Sequence, residues 1–244
     1  MIDIRELRRD FGGIHALAGV DLRIEPGERR AVIGPNGAGK TTLFNVLTGE
    51  LRPNGGSIRL DGAALTGLTT WQRARLGLVR MYQRNELFDP LSALENVLLS
   101  IGSLGGAYRP FRSPLPAERI EAEEVLGRVG LADRRSVTAR TLSHGERRQL
   151  ELALALARQP VVLLLDEPTA GMSPAETERI TALIAGLERR LTVLIVEHDM
   201  DVVFRLADRI TVMHEGRAIA EGTPNEIRAD RRVHDVYLGK AVEA

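Results

Sequence analysis

The residues with the clearest chemical potential are Gly34, Pro35, Asn36, Gly37, Ala38, Gly39, Lys40 and Thr41, followed by Thr42. They fit the pattern G-x-x-x-x-G-K-[ST], placed between an apolar run, Ala31 to Ile33, and a helix-periodic stretch, Thr42 to Thr48. Each residue type has a reason. Glycines let backbone N–H groups converge on phosphate oxygens without a Cβ in the way. The helix N-terminus behind them adds partial positive charge. A lysine at position 40 can reach β- and γ-phosphates, and a hydroxyl at position 41 can ligate Mg²⁺. Of 33 basic residues only Lys40 and Lys240 are lysine, the rest being arginine. A chain that avoids lysine this strongly still places one at the last-but-one position of this loop.

A second constellation sits further along. The apolar run Val161 to Leu165 ends in Asp166, Glu167 and Pro168. A buried strand that delivers two adjacent acids to the carboxyl edge of a parallel sheet suits a nucleotide site. Neighbouring strand-end residues point in different directions. Asp166 is therefore expected to hold Mg²⁺, directly or through water, while Glu167 faces an attacking water as general base. Ser143 and Glu146, just ahead of an apolar helix, form a capping box; with Gly145 between them, the same helix start is also an anion site. His198 follows the run Leu194 to Glu197, again at a strand end.

These residues need a scaffold. Short β-rich runs alternate with helical patterns, which predicts an α/β fold with a largely parallel sheet. Strands are expected near Ile2 to Leu7, Val20 to Ile24, Ala31 to Ile33, Ser57 to Leu60, Val161 to Leu165, Leu191 to Val196 and Ile210 to Met213. Ser173 to Glu176 and Thr223 to Glu226 each combine a capping box with proline at the first helical turn. Residues 89–141 differ in character, with Pro90, Pro110, Pro114 and Pro116 and a helical period from Ala117 to Val129. They read as a helical insertion into an α/β core made of residues 1–88 and 142–244.

Composition sets outer bounds. The 244 residues have a formal net charge of zero, 43% hydrophobic and 27% charged residues and no cysteine. Disulfides and thiolate metal sites are excluded, and neutral charge argues against nucleic acid as a main partner. The N-terminus lacks a signal-peptide core. The longest apolar run, Leu152 to Ala157, is far short of the roughly 18 residues a membrane helix needs. Any membrane work is expected of another polypeptide.

The order of these motifs resembles that of ABC-type ATPase domains over nearly the whole chain. The stretch Leu142-Ser143-His144-Gly145-Glu146 resembles that family's LSGGQ signature. The resemblance implies a P-loop NTPase fold with a RecA-like core, a small antiparallel β subdomain and a helical subdomain, binding ATP and Mg²⁺. It implies that Ser143 and Gly145 press on the γ-phosphate held by an opposite subunit. It makes Gln83 the glutamine that senses Mg²⁺ and water, His198 the switch histidine at the γ-phosphate, and Phe11 the aromatic that stacks on adenine. His144 stands where the family has glycine and Glu146 where it has glutamine, so Glu146 is expected to face its own backbone or the ribose. Ser173 stands where many members carry Asp, which puts the usual carboxylate contact across the dimer in doubt.

Local features narrow the branch. Phe11 to Leu17, Ala74 to Gly77 leading to Gln83, Leu94 to Val97, Glu167 to Met172, Ile195 to Met200 and the tail Val236 to Gly239 resemble the ATPases of bacterial branched-chain amino acid importers. Urea importers share the Leu-Ser-His-Gly form, and lipopolysaccharide-export ATPases have a similar tail. The implied partners are a second ATPase subunit, identical or related, two integral membrane permeases and, indirectly, a substrate-binding protein. The implied place is the cytoplasm, on the inner face of the membrane. An exporter of lipid or polysaccharide, or a soluble ABC protein of DNA repair or translation, is the competing reading. Soluble members usually carry two cassettes or a long coiled-coil insertion, and this chain has neither. Replacing Lys40→Ala is expected to abolish nucleotide binding or hydrolysis, measured by equilibrium binding and phosphate release; unchanged activity would remove the loop assignment.

Overall fold

The computed structural model describes residues 1–81, 87–102 and 114–238. Two sheets carry the chain. The first is antiparallel, in the order β2 (Ile14–Ile24), β1 (Ile2–Phe11), β4 (Gly55–Leu60), β5 (Ala63–Ala64). The second has the order β10 (Arg217–Gly222), β9 (Arg209–His214), β3 (Arg29–Ile33), β8 (Thr192–Val196), β7 (Val162–Asp166), β6 (Leu78–Met81). Its strands β9, β3, β8, β7 and β6 run parallel, and β10 pairs antiparallel on the edge.

Strands β3, β7 and β8 are buried at every position, which is why Ala31 to Ile33, Val162 to Leu165 and Val193 to Val196 read as continuous apolar runs rather than alternating ones. Alternation decides only which core each side chain enters. Val162, Leu164, Leu194 and Val196 join the antiparallel sheet and helix α1 (Lys40–Thr48) through Leu43, Phe44 and Leu47. Leu163, Leu165, Val193 and Ile195 face the opposite side. There they meet α5 (His144–Leu156) and α6 (Pro174–Ala185), through Leu150, Leu152, Ile180 and Ile184. Between β6 and α5 lie α3 (Ala93–Gly102) and α4 (Pro116–Arg128), whose Val97, Ala122, Val125 and Leu126 join this second core. Helix α2 (Thr70–Arg75) precedes β6; α7 (Met200–Leu206), α8 (Pro224–Ala229) and α9 (Arg231–Leu238) complete the order.

The expected capping boxes are present at Ser143, Ser173 and Thr223, and a further one at Thr69. The structure departs from the sequence reading at several places: β2 begins at Ile14 rather than near Val20, and β5 and β6 have no counterpart among the expected strands. Strand β1 continues past Leu7 to Phe11, because its partner β2 extends as far. Helix α1 begins at Lys40 itself. Strand β10 has no counterpart among the expected strands: Arg-Ala-Ile-Ala-Glu-Gly is poor in β-formers. It forms because Glu215 and Gly216 both take positive φ, as a type I′ hairpin turn requires, and fold it onto β9.

One buried arginine fixes the end of α1. Arg73, almost fully buried, donates to the carbonyls of Val46 (2.6 Å), Leu47 (2.7 Å) and Leu68 (3.2 Å). Burial pushes its pKa below the ordinary arginine value. Two of those carbonyls belong to the last turn of α1, where the regular helical partners run out and Val46 O has only a 3.3 Å bond from the Gly49 N–H. Arg73→Ala is expected to destabilise the fold by about 2–3 kcal/mol through unpaired buried acceptors, read from the denaturant midpoint at unchanged m-value.

Candidate nucleotide site

Sheet order does the first part of the assembly. Strands β3, β8 and β7 are neighbours and parallel, so the loops that leave their carboxyl ends start side by side. Those loops carry residues 34–39, Glu197 with His198, and Glu167 with Pro168. The crevice outside the carboxyl ends of such strands is where ligands bind in open α/β sheets.

The glycine-rich loop is pinned from two directions. Gly34 (φ 153°) and Gly39 (φ 100°) take backbone conformations that side chains avoid. A Cβ at Gly34 would lie 2.2 Å from the Met213 carbonyl, and one at Gly39 would lie 2.3 Å from the Ala16 carbonyl. Gly37 instead faces open space. The Lys40 ammonium curls back to donate to the carbonyls of Gly34 (2.6 Å) and Pro35 (3.0 Å). Burial lowers its pKa, opposed by the Glu167 and Asp166 carboxylates. An anion brought to the loop would restore the charge that burial opposes. An open cleft of about 680 Å³ runs over this loop, lined by Asn36 to Thr42 with Phe11, Glu167, His198 and Arg217.

The two acids behave differently, as their alternation predicts. Asp166 is buried and ion-paired with Arg80, which also donates to Asn45 Oδ1 at 2.6 Å. Glu167 turns toward the cleft, with its Oε1 2.9 Å from His198 Nε2. Its backbone is left-handed (φ 47°), an uncommon state for a residue with a Cβ. The turn is held from three sides. The Glu167 N–H donates to Val196 O at 2.8 Å. Arg148 of α5 donates to the carbonyls of Asp166, Glu167 and Pro168. Glu197, buried at the end of β8, accepts from the N–H and hydroxyl of Thr169 and from the His198 N–H.

Ser143 and Gly145 lie outside the cleft, at the start of α5. Ser143 Oγ accepts from the Glu146 N–H, and Glu146 accepts from the Ser143 N–H at 2.9 Å while pairing with Arg134. Glu146 therefore faces its own backbone, and these bonds hold its carboxyl below the usual range. The Gly145 N–H donates to Glu176 Oε1 at 3.0 Å. A Cβ at 145 would come within 2.8 Å of that oxygen, so a larger residue there would push the Glu176 side chain aside.

Phe11 is half exposed at the rim, with the Arg9 guanidinium 4.6 Å from its ring centroid. Gln83 lies outside the described residues. The sequence reading missed Arg80, Arg148, Glu176 and Glu197. Arg80 and Glu197 left a trace, the one a charge inside a short apolar run and the other a charge directly after one. Arg148 left a fainter one, a charge on the apolar side of α5. Glu176 had been read only as a helix cap.

Comparison with known proteins agrees with this geometry. Residues 17–170 match the family model "ABC transporter", and residues 219–243 match "Branched-chain amino acid ATP-binding cassette transporter". The chain is 41% identical to the high-affinity branched-chain amino acid transport ATP-binding protein BraF of Pseudomonas aeruginosa, covering 99% of this chain and 98% of BraF. It is 40% identical to LivG of Escherichia coli, a protein of the same description, with the same coverage. The lipopolysaccharide export system ATP-binding protein LptB of Acidithiobacillus ferridurans is 39% identical, covering 90% of this chain and 89% of LptB. Among solved structures, the ADP conformation of MJ1267, an ATP-binding cassette of an ABC transporter, superposes with a TM-score of 0.89 at 28% identity, covering 98% of both chains. The dimeric cassette MJ0796 gives 0.79 at 28% identity, covering 92% of this chain and 99% of that one. No helix among the described residues is long and apolar enough to cross a membrane. With its phosphate loop, paired acids and strand-end histidine gathered at one sheet edge, the chain belongs to the ABC transporter family, as an ATP-binding cassette that hydrolyses ATP.

Proposed function

We propose that this cassette drives import of branched-chain or related amino acids, working as one of two ATPase subunits beneath a pair of membrane permeases on the inner face of the membrane. The observation that carries the chemistry is the meeting of the Lys40 loop, Glu167 and His198 in one cleft. The importer assignment rests on the likeness to BraF and LivG and on the match at residues 219–243. Substrate reaches the system through a separate binding protein, so this chain does not touch it.

The backbone N–H groups of residues 36–39 and the Thr42 hydroxyl take the phosphates, and Phe11 stacks on adenine. Lys40 exchanges its loop carbonyls for phosphate oxygens. Thr41 and Asp166 are hard oxygen donors of the kind Mg²⁺ prefers, and they would hold it, directly or through water. When bound, Mg²⁺ neutralises charge on the phosphate oxygens. Glu167 accepts the proton of the attacking water, His198 contacts the γ-phosphate, and Gln83 reports the state of the site to residues 89–141, a helical insertion in the core. The surface from Asn85 to Leu98, of which residues 85 and 86 lie outside the described residues, receives a short helix of the permease.

Ser143 and Gly145 serve a second nucleotide, bound by a partner cassette arranged head to tail. ATP favours the closed pair, and hydrolysis removes that preference. The Glu176 carboxylate stands at the Gly145 N–H and must give way to an incoming phosphate oxygen. An exporter is the second reading, favoured only by the likeness to LptB. Co-purification in detergent separates the two: two permeases together with a periplasmic binding protein mean import.

Glu167→Gln is expected to bind ATP, to turn over roughly 10²–10⁴-fold more slowly and to accumulate a nucleotide-bound dimer on size exclusion. Near-normal turnover would remove Glu167 as the base. In that background, Glu176→Gln keeps the cap at Ser173, because Gln also serves at that position. It removes the negative charge that competes with phosphate. The ATP concentration at half-maximal pairing is expected to fall several-fold; a rise would mean that Glu176 supports closure.

A further inference from the structure

One side chain of helix α5 reaches the 166–168 turn with an unusual span. Arg148 lies one turn inside the helix that Ser143 caps and is almost fully buried. Its Nε donates to Pro168 O at 2.9 Å, and its Nη2 donates to Glu167 O at 2.8 Å and Asp166 O at 3.3 Å. Its Nη1 donates to Glu151 Oε2 at 2.8 Å, one turn further along the same helix. The planar guanidinium thus spans three consecutive carbonyls while an acid on its own helix fixes its plane. Those carbonyls belong to the turn that carries Asp166 and the left-handed Glu167.

We propose that Arg148 is a positioning residue that ties the Ser143 loop to the Asp166–Pro168 turn, so that engagement of the Ser143 loop by one nucleotide sets the orientation of Glu167 over the other. This rests on the two-cassette reading given above, in which the start of α5 and the side chain of Glu167 belong to different nucleotides. Beyond the apolar packing of α5 on β7 and α6, the hydrogen bonds seen among the described residues tie it to the following segment at Gly145, to Glu176, and at Arg148, to the turn. A phosphate oxygen at the Gly145 N–H displaces the first contact. Arg148 faces away from that donor, into the core, so the second contact persists. Any shift of α5 toward the partner is then carried to the carbonyls of 166–168. Glu167 follows, because its N–H is fixed to Val196 and its side chain meets His198. Glu197 anchors Thr169 and the His198 N–H on the far side, which gives the turn a fixed end to pivot against.

Arg148→Lys tests the relay in the full-length protein. Lysine keeps the charge beside Glu151 but offers one nitrogen in place of a fork. A second variant, Arg148→Met with Glu151→Gln, removes both charges together, so no unpaired buried carboxylate remains to unfold the protein. Four quantities are measured: ADP affinity, melting temperature, kcat with its Hill coefficient in ATP, and amide hydrogen exchange at residues 167–172. Both variants are expected to bind ADP within about twofold of wild type. Their kcat falls at least tenfold, the Hill coefficient drops toward 1, and exchange at 167–172 accelerates. A kcat and Hill coefficient within twofold of wild type in a folded variant would overturn the proposal. So would a loss of kcat matched by equal losses of ADP affinity and melting temperature, the pattern of plain destabilisation. If Glu167→Gln itself forms no ATP-dependent pair, the two-cassette reading falls first, and the relay falls with it.

Discussion

The turn at residues 166–169 is the constraint on which the rest of the molecule depends. It must end a fully buried strand, keep one acid in the core, aim the next at the cleft, and then enter the loop before α6. Only a left-handed residue at 167 achieves that change of direction, and such a residue costs of order 1–3 kcal/mol unless its surroundings impose it. The surroundings do so here. Strand β8 supplies an acceptor for the Glu167 N–H, α5 supplies Arg148, and the end of β8 supplies Glu197. Two of the three come from adjacent residues at the end of β8 and one from α5, both distant in sequence from the turn, so the geometry of the acids is a property of the assembled fold.

The charges buried around this turn follow one rule: each is matched to the donors or acceptors that converge on it. Glu197 receives three donors and no cation. An acceptor-only carboxylate suits that arrangement, whereas an amide would set its own N–H against one of the donors. Asp166 is met by Arg80, itself held by Asn45 of α1. That link fastens the second acid to the helix that begins at Lys40. The phosphate loop and the acids are therefore coupled through α1 as well as through the sheet.

The sequence made the ends of this network legible and left its middle obscure. Residues 34–42 are contiguous, and their chemistry is encoded by type and spacing. Asp166 and Glu167 stand out because two acids directly follow an apolar run, and His198 because it lies at a strand end. The capping box at Ser143 fixed the start of α5 to the residue. Arg148 was hidden because its partners are backbone carbonyls, which carry no residue type, in a segment 18 to 20 residues away. Glu176 was hidden for another reason. One local role, capping at Ser173, fully explained it, and the second contact with Gly145 depends on tertiary packing. Strand β10 escaped because an edge strand next to an Glu-Gly turn needs little intrinsic β-propensity once β9 is in place.

The lopsided use of arginine over lysine follows from the same packing. Arg29 donates to the carbonyls of Ala185 and Leu187, Arg73 to three carbonyls around α1, and Arg148 to three on the catalytic turn. Each is a static clasp on several backbone oxygens in a buried place, which a rigid fork performs at low entropic cost. Lys40 also contacts two carbonyls, yet through a single nitrogen on a flexible stem. A clasp of that kind can be released. Under the function proposed above, the residue that would trade backbone oxygens for phosphate oxygens is thus a lysine, while Arg29, Arg73 and Arg148 hold what stays fixed.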